Sequence, residues 1–335
     1  MTMERWVINV SCGPNQIIVM QEAKKLGYLI IGIDSKSQSD LVDRFVNVST
    51  YDHRSVLEGL RVEANFPGIK GVICRSSGPA VTTAYSVARW LDLPSAGEVV
   101  ANCSVSKIFL YQWALRNLVP VIPTFQTSRG DFDGSLDFPL VVKPNVSILG
   151  KENVFHVTDR SELSSAIELA RQESPDDSAL IQPFIDGADL GLVCITYRGE
   201  LLWAFVFEEH NYFKDGVVKA EGVSAVRLKK TDRILKQLLS VATRIVSESG
   251  SSGHIFFSFK VDRHEMVHLY EVNPGLCGDG VLEVLLSEIA PPPLFARLEV
   301  LLMTEKLTLS RHGFLSELQA RWPEMKFING GGYVA

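Results

Sequence analysis

The first hundred residues alternate short apolar runs with stretches of helical periodicity. The apolar runs lie at 6–10, 28–34 and 71–77. Between the first two runs, Val19, Ala23 and Leu26 recur at the i, i+4, i+7 spacing of an amphipathic helix. Strand–helix–strand units of this length predict a parallel sheet covered by helices.

Ligands of parallel sheets bind beyond the carboxyl ends of the strands. In this chain those ends are followed by residues 11–15, by Asp34 and by residues 75–78. We therefore expect a substrate surface at this edge, where the Arg75 guanidinium could hold a carboxylate in bidentate fashion. Ser77 and Gly78 would lie beside it.

The pattern changes after about residue 103. A helix is predicted over 104–118 and a second helix from Asp159, where Glu162 would complete a capping box. Strands are predicted at 138–144, 154–157, 179–187, 255–261 and 267–274. A hairpin is predicted around Arg198 and Gly199, whereas the polar segment 210–222 has the composition of an irregular substrate loop.

Composition and charge exclude several classes of function. Hydrophobic residues make up 46% of the 335 residues, and the net charge of -6 argues against nucleic-acid binding through phosphate neutralisation. We find no apolar run near the ~18 residues of a membrane span and expect no signal peptide. The five scattered cysteines, without a Cys-x-x-Cys pair, predict reduced thiols in a cytoplasmic protein.

Two of the lysines within predicted regular elements are candidate site residues. Lys143 interrupts the apolar strand FPLVVKP, where a charge is costly unless it meets an opposite charge. Lys107 lies in the predicted helix SVSKIFLYQWALRNL. Each also has an ordinary explanation, which is an edge-strand position for Lys143 and a solvated helix face for Lys107.

The segment VHLYEVNPG places two oxygen-bearing side chains on one predicted strand. Alternation puts Leu269, Glu271 and Asn273 on one face and places Tyr270 and Val272 on the other. Glu271 and Asn273 would then offer ligands ~7 Å apart along the strand. Such a pair suits a hard cation that bridges phosphate oxygens.

Taken in order, SVSKIFLYQWALRNLVPVIPT, FPLVVKPN, NVSILGKENVFHV, ALIQPFIDGADLGLV and VHLYEVNPG resemble the motifs of the ATP-grasp superfamily. They are most similar to its carbamoyl-phosphate-synthase-like and amino-acid-ligase branches. The resemblance implies an N-terminal parallel α/β (pre-ATP-grasp) domain at 1–103, followed by a two-lobed ATP-grasp fold with antiparallel sheets. The central lobe would span 104–178 and the C-terminal lobe 179–335.

The resemblance also implies an ATP site between the lobes. Lys107 and Lys143 would meet the phosphates, and a loop containing Gly150 and Lys151 would fold over them. That loop is poorer in glycine than is usual in the superfamily.

Four hinge residues would bind the nucleoside. By resemblance, Gln182 would meet the adenine amino group, and the backbone of Phe184 and Ile185 would pair with the adenine edge. Asp189 would accept hydrogen bonds from the ribose hydroxyls, although a turn residue near Gly187 is the alternative.

The implied metal is Mg²⁺, with Mn²⁺ as an alternative, bound by Glu271 and Asn273. Together with Lys143 these residues would form the catalytic set. Ser258 departs from the motif, because relatives usually carry another metal-binding carboxylate there. Gly275 also departs, since an arginine is common at that position.

Further residues are expected near this site. Asp262 and Asp279 are acidic residues that could replace the missing carboxylate. Lys214, Lys219 and Arg227 would lie in the lobe that contacts substrate.

The implied function is an ADP-forming ligase that joins a small carboxylate and an amine through an acyl phosphate. Two alternatives stay open: a nucleotide-binding protein that has lost catalysis, and a carboxylase-type enzyme that phosphorylates bicarbonate. We expect small-molecule substrates, no nucleic-acid or membrane partner, and a homodimer as a plausible assembly.

Overall fold

The N-terminal part of the chain forms a parallel α/β unit, as its apolar runs predict. The computed structural model describes residues 4–36, 39–62, 68–128, 132, 136–147, 153–226, 228–229, 232–276, 286–287, 292–304, 316 and 320. The N-terminal strands are β1 (Trp6–Val10), β2 (Leu29–Asp34), β3 (Arg44–Asn47) and β4 (Ile69–Ile73), and the helices are α1 (Ile17–Lys25), α2 (His53–Val62) and α3 (Pro79–Trp90). The parallel strands lie in the order β3-β2-β1-β4.

Both faces of this sheet are buried, which explains its continuous apolar runs. Ile8 and Ile31 pack in the layer that contains residues of α2 and α3, and Val7 and Ile30 pack in the layer that contains residues of α1. Strand β4 ends at Ile73, earlier than the predicted strand 71–77. The residues expected to bind substrate therefore lie in the loop that follows β4.

The predicted single helix over 104–118 is wrong. Two helices, α4 (Glu98–Val105) and α5 (Lys107–Arg116), meet at Ser106, whose backbone is extended at φ −119° and ψ 112°. The Ser106 side chain accepts a hydrogen bond from the Phe109 N–H at 3.2 Å and caps α5. This break makes Lys107 the first residue of a helix.

The rest of the chain is built on one nine-stranded antiparallel sheet. Its strands are β5 (Phe125–Thr127), β6 (Leu140–Pro144), β7 (Phe155–Val157), β8 (Ala179–Pro183), β9 (Gly187–Tyr197), β10 (Glu200–Lys214), β11 (Val217–Ala225), β12 (Gly253–Asp262) and β13 (Val267–Pro274). They lie in the order β13-β12-β9-β10-β11-β7-β6-β8-β5. The helices α6 (Arg160–Glu173) and α7 (Arg233–Ser249) pack against the two ends of this sheet.

Two hairpins stand at the centre of the sheet. Strands β9 and β10 turn at Arg198 and Gly199, which have φ 49° and 83°, and this confirms the first predicted hairpin. The expectation of an irregular loop over 210–222 is wrong, because β10 and β11 pair through this region around Asp215 and Gly216. The Asp-Gly dipeptide was the available hairpin signal.

A C-terminal helix joins the two sheets. In α8 (Pro292–Thr304), Ala296 and Val300 pack with the layer on β2 and α1, whereas Phe295 and Leu298 pack with Trp203 and other side chains on the large sheet. The helix therefore holds the N-terminal unit against the part of the chain that is built on the nine-stranded sheet. None of the described helices is long and apolar enough to cross a membrane.

Shortening a buried side chain of α8 should lower the stability of the fold measurably. Leu298 is fully buried, and we expect Leu298→Ala to lower the free energy of unfolding by about 2–5 kcal/mol, because it leaves a cavity at this junction. Urea denaturation followed by circular dichroism measures the change. The control Leu118→Ala, at a leucine that is 86% exposed, should stay within about 0.5 kcal/mol of the parent. Equal effects of both variants would contradict the bridging role of α8.

Candidate active site

Asn145 joins the two elements that carry the predicted phosphate lysines. It follows β6, and its Oδ1 accepts a hydrogen bond from the Ile108 N–H at 2.9 Å in the first turn of α5. Its carbonyl accepts from the Lys107 N–H at 3.3 Å, and its Nδ2 donates to Asp176 at 2.6 Å. The start of α5 and the end of the Lys143 strand are thereby fixed next to each other.

The two lysines share a desolvated environment. Lys143 is 6% exposed, and burial together with the Lys107 charge lowers its pKa to about 7 in spite of the Glu271 carboxylate. Burial also lowers the pKa of Lys107, although Glu271 and Asp176 oppose the change. The carboxylates present do not fully compensate two neighbouring ammonium groups, so the site favours an added anion.

A β-bulge decides which side chains of β13 face these lysines. Ser258 on β12 pairs with Glu271, but the next residue, Phe259, pairs with Leu269, so Tyr270 is the extra residue on β13. Bulges change the alternation of side chains and are frequent next to active sites. Leu269 and Val272 consequently both enter the same hydrophobic core.

The predicted alternation along β13 is therefore wrong in part. Leu269 does not share a face with Glu271, and Tyr270 is not opposite to it. Lys143 Nζ lies 5.6 Å from the centre of the Tyr270 ring. Burial raises the pKa of Tyr270 well above its usual value, and the nearby carboxylates, including Glu271, raise it further.

Glu271 and Asn273 do lie together, as expected. Asn273 Nδ2 donates to Glu271 Oε1 at 2.9 Å, and Asn273 Oδ1 accepts from the Ser104 hydroxyl at 2.8 Å. A half-turn of the amide would direct its oxygen towards the Glu271 side, while Nδ2 could donate to the Ser104 hydroxyl oxygen. Both orientations are thus supported by Ser104 at the C-terminal end of α4.

A carboxylate from another strand lies beside Ser258. The Ser258 hydroxyl donates to Glu209 Oε1 at 3.4 Å, and Glu209 on β10 pairs with Asp189 on β9. Sequence reasoning missed Glu209 because nothing in the local pattern of β10 indicates that its side chain approaches Ser258 on β12. Asp262 instead accepts hydrogen bonds from the N–H groups of its own turn, which lower its pKa to about 2.

The predicted hinge residues lie on β8, in the connection that follows it and at the start of β9, and several of their groups are already engaged. Gln182 is buried, and its Nε2 donates to Thr124 Oγ1 at 2.7 Å. The Phe184 N–H donates to the Pro139 carbonyl at 3.0 Å, so the Phe184 carbonyl is the part of its backbone that could meet a base. Ile185 is half-buried beside it.

Asp189 lies on β9, and its side chain contacts residues of both neighbouring strands, β12 and β10. Its Oδ2 is 3.1 Å from Lys260 Nζ and accepts from Asn211 Nδ2 at 3.1 Å. Lys260 and Asp189 are directly opposite each other in the β12–β9 register. The carboxylate is therefore held by the sheet and is not a turn residue.

The loop after β4 comes close to Ser147, and its Arg75 side chain is already paired within the protein. Arg75 is buried, and its Nε donates to Glu299 Oε2 at 2.8 Å. Its guanidinium thus already contacts a carboxylate of this chain, which does not favour the predicted capture of a substrate carboxylate. Ser77 is exposed, and a Cβ added to Gly78 at φ +65° would lie 3.2 Å from the Ser147 carbonyl.

The segments that follow β1 and β2 are held together at the carboxyl edge of the parallel sheet. Ser11 has φ 77°, and the Cys12 N–H donates to Asp34 Oδ2 at 2.8 Å, which ties the ends of β1 and β2 together. Gln16 and Arg75 exchange two hydrogen bonds, so this edge is connected to the loop after β4.

Some predicted residues are not brought to the centre of the site. Lys214 and Lys219 are exposed near the tip of the β10–β11 hairpin. Gly150, Lys151, Arg227 and Asp279 lie outside the described residues. Asn145, Ser104, Glu209 and Tyr270 are the residues of the site that sequence reasoning did not select.

Comparison with solved structures identifies the fold. The chain is similar to an L-amino acid ligase from Bacillus licheniformis, at 21% identity and a TM-score of 0.69, covering 90% of this chain and 75% of that one. The chain has the ATP-grasp fold. This confirms the fold that the resemblance of the five sequence motifs implied.

Two further structures support the ATP-grasp assignment. An N5-carboxyaminoimidazole synthetase from Staphylococcus aureus, complexed with ADP, has a TM-score of 0.69 at 10% identity, covering 92% of this chain and 80% of that one. A biotin carboxylase–beta-gamma-ATP complex from Campylobacter jejuni has a TM-score of 0.61 at 15% identity, covering 92% and 72%. No family model and no curated protein matches the chain.

The charges around Lys143 predict that two substitutions shift its pKa in opposite directions. Glu271→Gln should lower this pKa below about 7, because it removes a charge that stabilises the ammonium form. Lys107→Met should raise it, because it removes a neighbouring positive charge. Side-chain ¹⁵N NMR titration of the nucleotide-free protein measures both shifts, with the exposed-site variant Lys219→Met as the control. Shifts in the same direction would show that the three groups do not interact as described.

Proposed function

We propose that this protein is an ATP-dependent carboxylate–amine ligase that forms an amide through an acyl phosphate and releases ADP and phosphate. One observation carries the proposal: Lys143 and Lys107 lie in a desolvated site whose carboxylates do not compensate them. A triphosphate supplies the required negative charge. The position of Lys107 at the N-terminus of α5 adds to the preference for an anion.

The donor set beside the lysines fits Mg²⁺. Among the described residues there is no cluster of three or more histidine, cysteine or acidic side chains that could hold a metal ion by itself. Mg²⁺ commonly uses one or two carboxylates together with substrate phosphates and water. Glu271 and Asn273 would supply protein ligands, and Glu209 is a further carboxylate close to Ser258.

Mg²⁺ would neutralise charge on the phosphates, while the protein supplies position and additional charge. Lys107 and Lys143 would hold the phosphate oxygens so that an anionic carboxylate can approach the γ-phosphorus. The carboxylate oxygen bonds to phosphorus as the bond to ADP breaks. Amine attack on the carbonyl carbon then forms the amide and releases phosphate.

The hinge offers complementary groups for the nucleoside. Gln182, the Phe184 carbonyl and the Ile185 N–H would face adenine, and Asp189 would accept from the ribose hydroxyls. The contact of Asp189 with Lys260 keeps this carboxylate in place between β9 and β12. These assignments extend the sequence prediction, with the Phe184 N–H removed from the set.

The similar proteins support this reaction class without defining the substrates. One is named as an L-amino acid ligase, whereas others are named as a biotin carboxylase and N5-carboxyaminoimidazole synthetases. We favour amino acids or similarly small molecules as substrates. The predicted homodimer and cytoplasmic location stay predictions.

A substrate screen tests the proposal. The protein is incubated with Mg-ATP and mixtures of the twenty proteinogenic amino acids, and ADP release and product masses are measured. Amide products together with ADP support the ligase. ADP release that depends on bicarbonate would instead identify the carboxylase-type activity, and absence of nucleotide binding by calorimetry would overturn both.

Loss of a single site charge should abolish turnover. We expect Lys143→Ala and Glu271→Ala each to reduce ADP formation at least about 10²-fold, because electrostatic stabilisation dominates phosphoryl transfer. Circular dichroism should show an unchanged fold. Lys219→Ala and Glu248→Ala are exposed-site controls of matching charge, and near-normal rates in the two site variants would defeat the assignment.

Asn145 should act by positioning the lysines. Asn145→Ala removes the bonds to the Ile108 N–H and to Asp176, and we expect about tenfold weaker Mg-ADP binding in calorimetry. Asn117→Ala is the matched control, because Asn117 bonds to Trp113 at the other end of α5. An equal loss of affinity in the two variants would indicate a general effect on the helix.

A further inference from the structure

The two lysines of the site are held by neutral groups. Lys107 Nζ donates to the Asn145 carbonyl at 3.5 Å, and Lys143 Nζ lies over the Tyr270 ring, 5.6 Å from its centre. Among the residues that the structure describes, no carboxylate forms an ion pair with Lys143. The aromatic face thus takes the place that a carboxylate commonly has beside a buried lysine.

The β-bulge in β13 brings the ring to Lys143. Tyr270 is the extra residue of the bulge, between two residues of β13 that pair with β12. With regular alternation its side chain would lie on the face opposite to Glu271. The bulge instead directs the ring and the Glu271 carboxylate towards the same lysine.

The hydroxyl end of Tyr270 is anchored in the sheet. Ser258 of β12 hydrogen-bonds to the Tyr270 side chain and donates to Glu209 Oε1 at 3.4 Å. Ser258 is buried, so this anchor lies below the surface of the site. The serine that stands where a carboxylate was expected therefore fixes the ring that supports Lys143.

An aromatic face and a carboxylate support a buried ammonium group with different consequences. A carboxylate cancels the positive charge, whereas the ring quadrupole stabilises the ammonium group and leaves its full charge in place. A phosphate oxygen that approaches Lys143 then meets a positioned cation and displaces no ion-pair partner. The ring therefore leaves Lys143 available for an anion.

Glu271 is the carboxylate that Lys143 would otherwise meet. It raises the pKa of Lys143, so the two groups lie within electrostatic reach of each other. A direct ion pair between them would occupy one phosphate-binding cation and one candidate metal ligand together. The contact of Lys143 with the Tyr270 ring keeps both groups available.

We propose that Tyr270 is a positioning residue, whose ring holds the Lys143 ammonium group away from Glu271 and ready for the phosphates of the bound nucleotide. The inference rests on the proposed function, because that function assigns Lys143 to the phosphates. Tyr270 acts through Lys143, and its hydroxyl serves only to anchor the ring.

Two substitutions separate the ring from the hydroxyl. We expect Tyr270→Leu to weaken Mg-ADP binding about tenfold in calorimetry, because Lys143 loses its support and can turn to Glu271. Tyr270→Phe keeps the ring and should stay within about threefold of the parent. Tyr51→Leu, at a tyrosine of the N-terminal unit that is 46% exposed, is the control. Circular dichroism should show an unchanged fold in all three variants.

A double-mutant cycle shows whether Tyr270 acts through Lys143. In the Lys143→Met background, Tyr270→Leu should change the affinity for Mg-ADP less than about twofold, because the ammonium group that the ring supports is gone. A further tenfold loss in the double variant would overturn the inference. Equal losses of affinity in Tyr270→Phe and Tyr270→Leu would also overturn it, since they would assign the effect to the hydroxyl.

A spectroscopic signature tests the contact without nucleotide. Protons over the face of an aromatic ring resonate upfield, so the Lys143 Cε protons should lie upfield of those of the exposed Lys219 in lysine-labelled protein. The signal is assigned with Lys143→Met, and its upfield position should persist in Tyr270→Phe and disappear in Tyr270→Leu. An ordinary position in the parent would overturn the inference alone. An upfield signal without Mg-ADP binding by the parent would overturn the proposed function, and with it the phosphate role of Lys143.

Discussion

The burial of Lys143 beside Lys107 is the physical constraint on which the candidate site depends. Desolvation and mutual repulsion disfavour both ammonium charges, and Glu271 relieves this only in part. The fold keeps the two groups together by fixing the start of α5 to the end of β6 through Asn145. A polyanionic ligand therefore stabilises an arrangement that the protein alone leaves electrostatically unfavourable.

The large sheet supplies the acidic side chains of the site, and a β-bulge in β13 orients them. The bulge at Tyr270 allows Leu269 and Val272 to remain in one core while Glu271 turns towards the lysines. Neighbouring strands bring Glu209 next to Ser258. The absence of a carboxylate at Ser258 is thus accompanied by a carboxylate from β10.

The N-terminal unit and α8 meet the large sheet close to the candidate site. Gly78 lies close to the Ser147 carbonyl, and Glu299 on α8 contacts both Arg75 and His254. A helix far along the chain therefore supports groups from both sheets. The buried charges at this junction are paired with each other, which offsets the cost of removing them from water.

The sequence by itself determined the parallel sheet, the first central hairpin and the ATP-grasp resemblance, because local periodicity and ordered motifs carry this information. It also placed Glu271 and Asn273 together, since residues two apart on a strand usually share a face. Only the tertiary structure decided the bulge at Tyr270, the approach of Glu209 and the pairing of Arg75 with Glu299. These depend on strand register and on contacts between distant segments, which no local pattern in a single chain encodes.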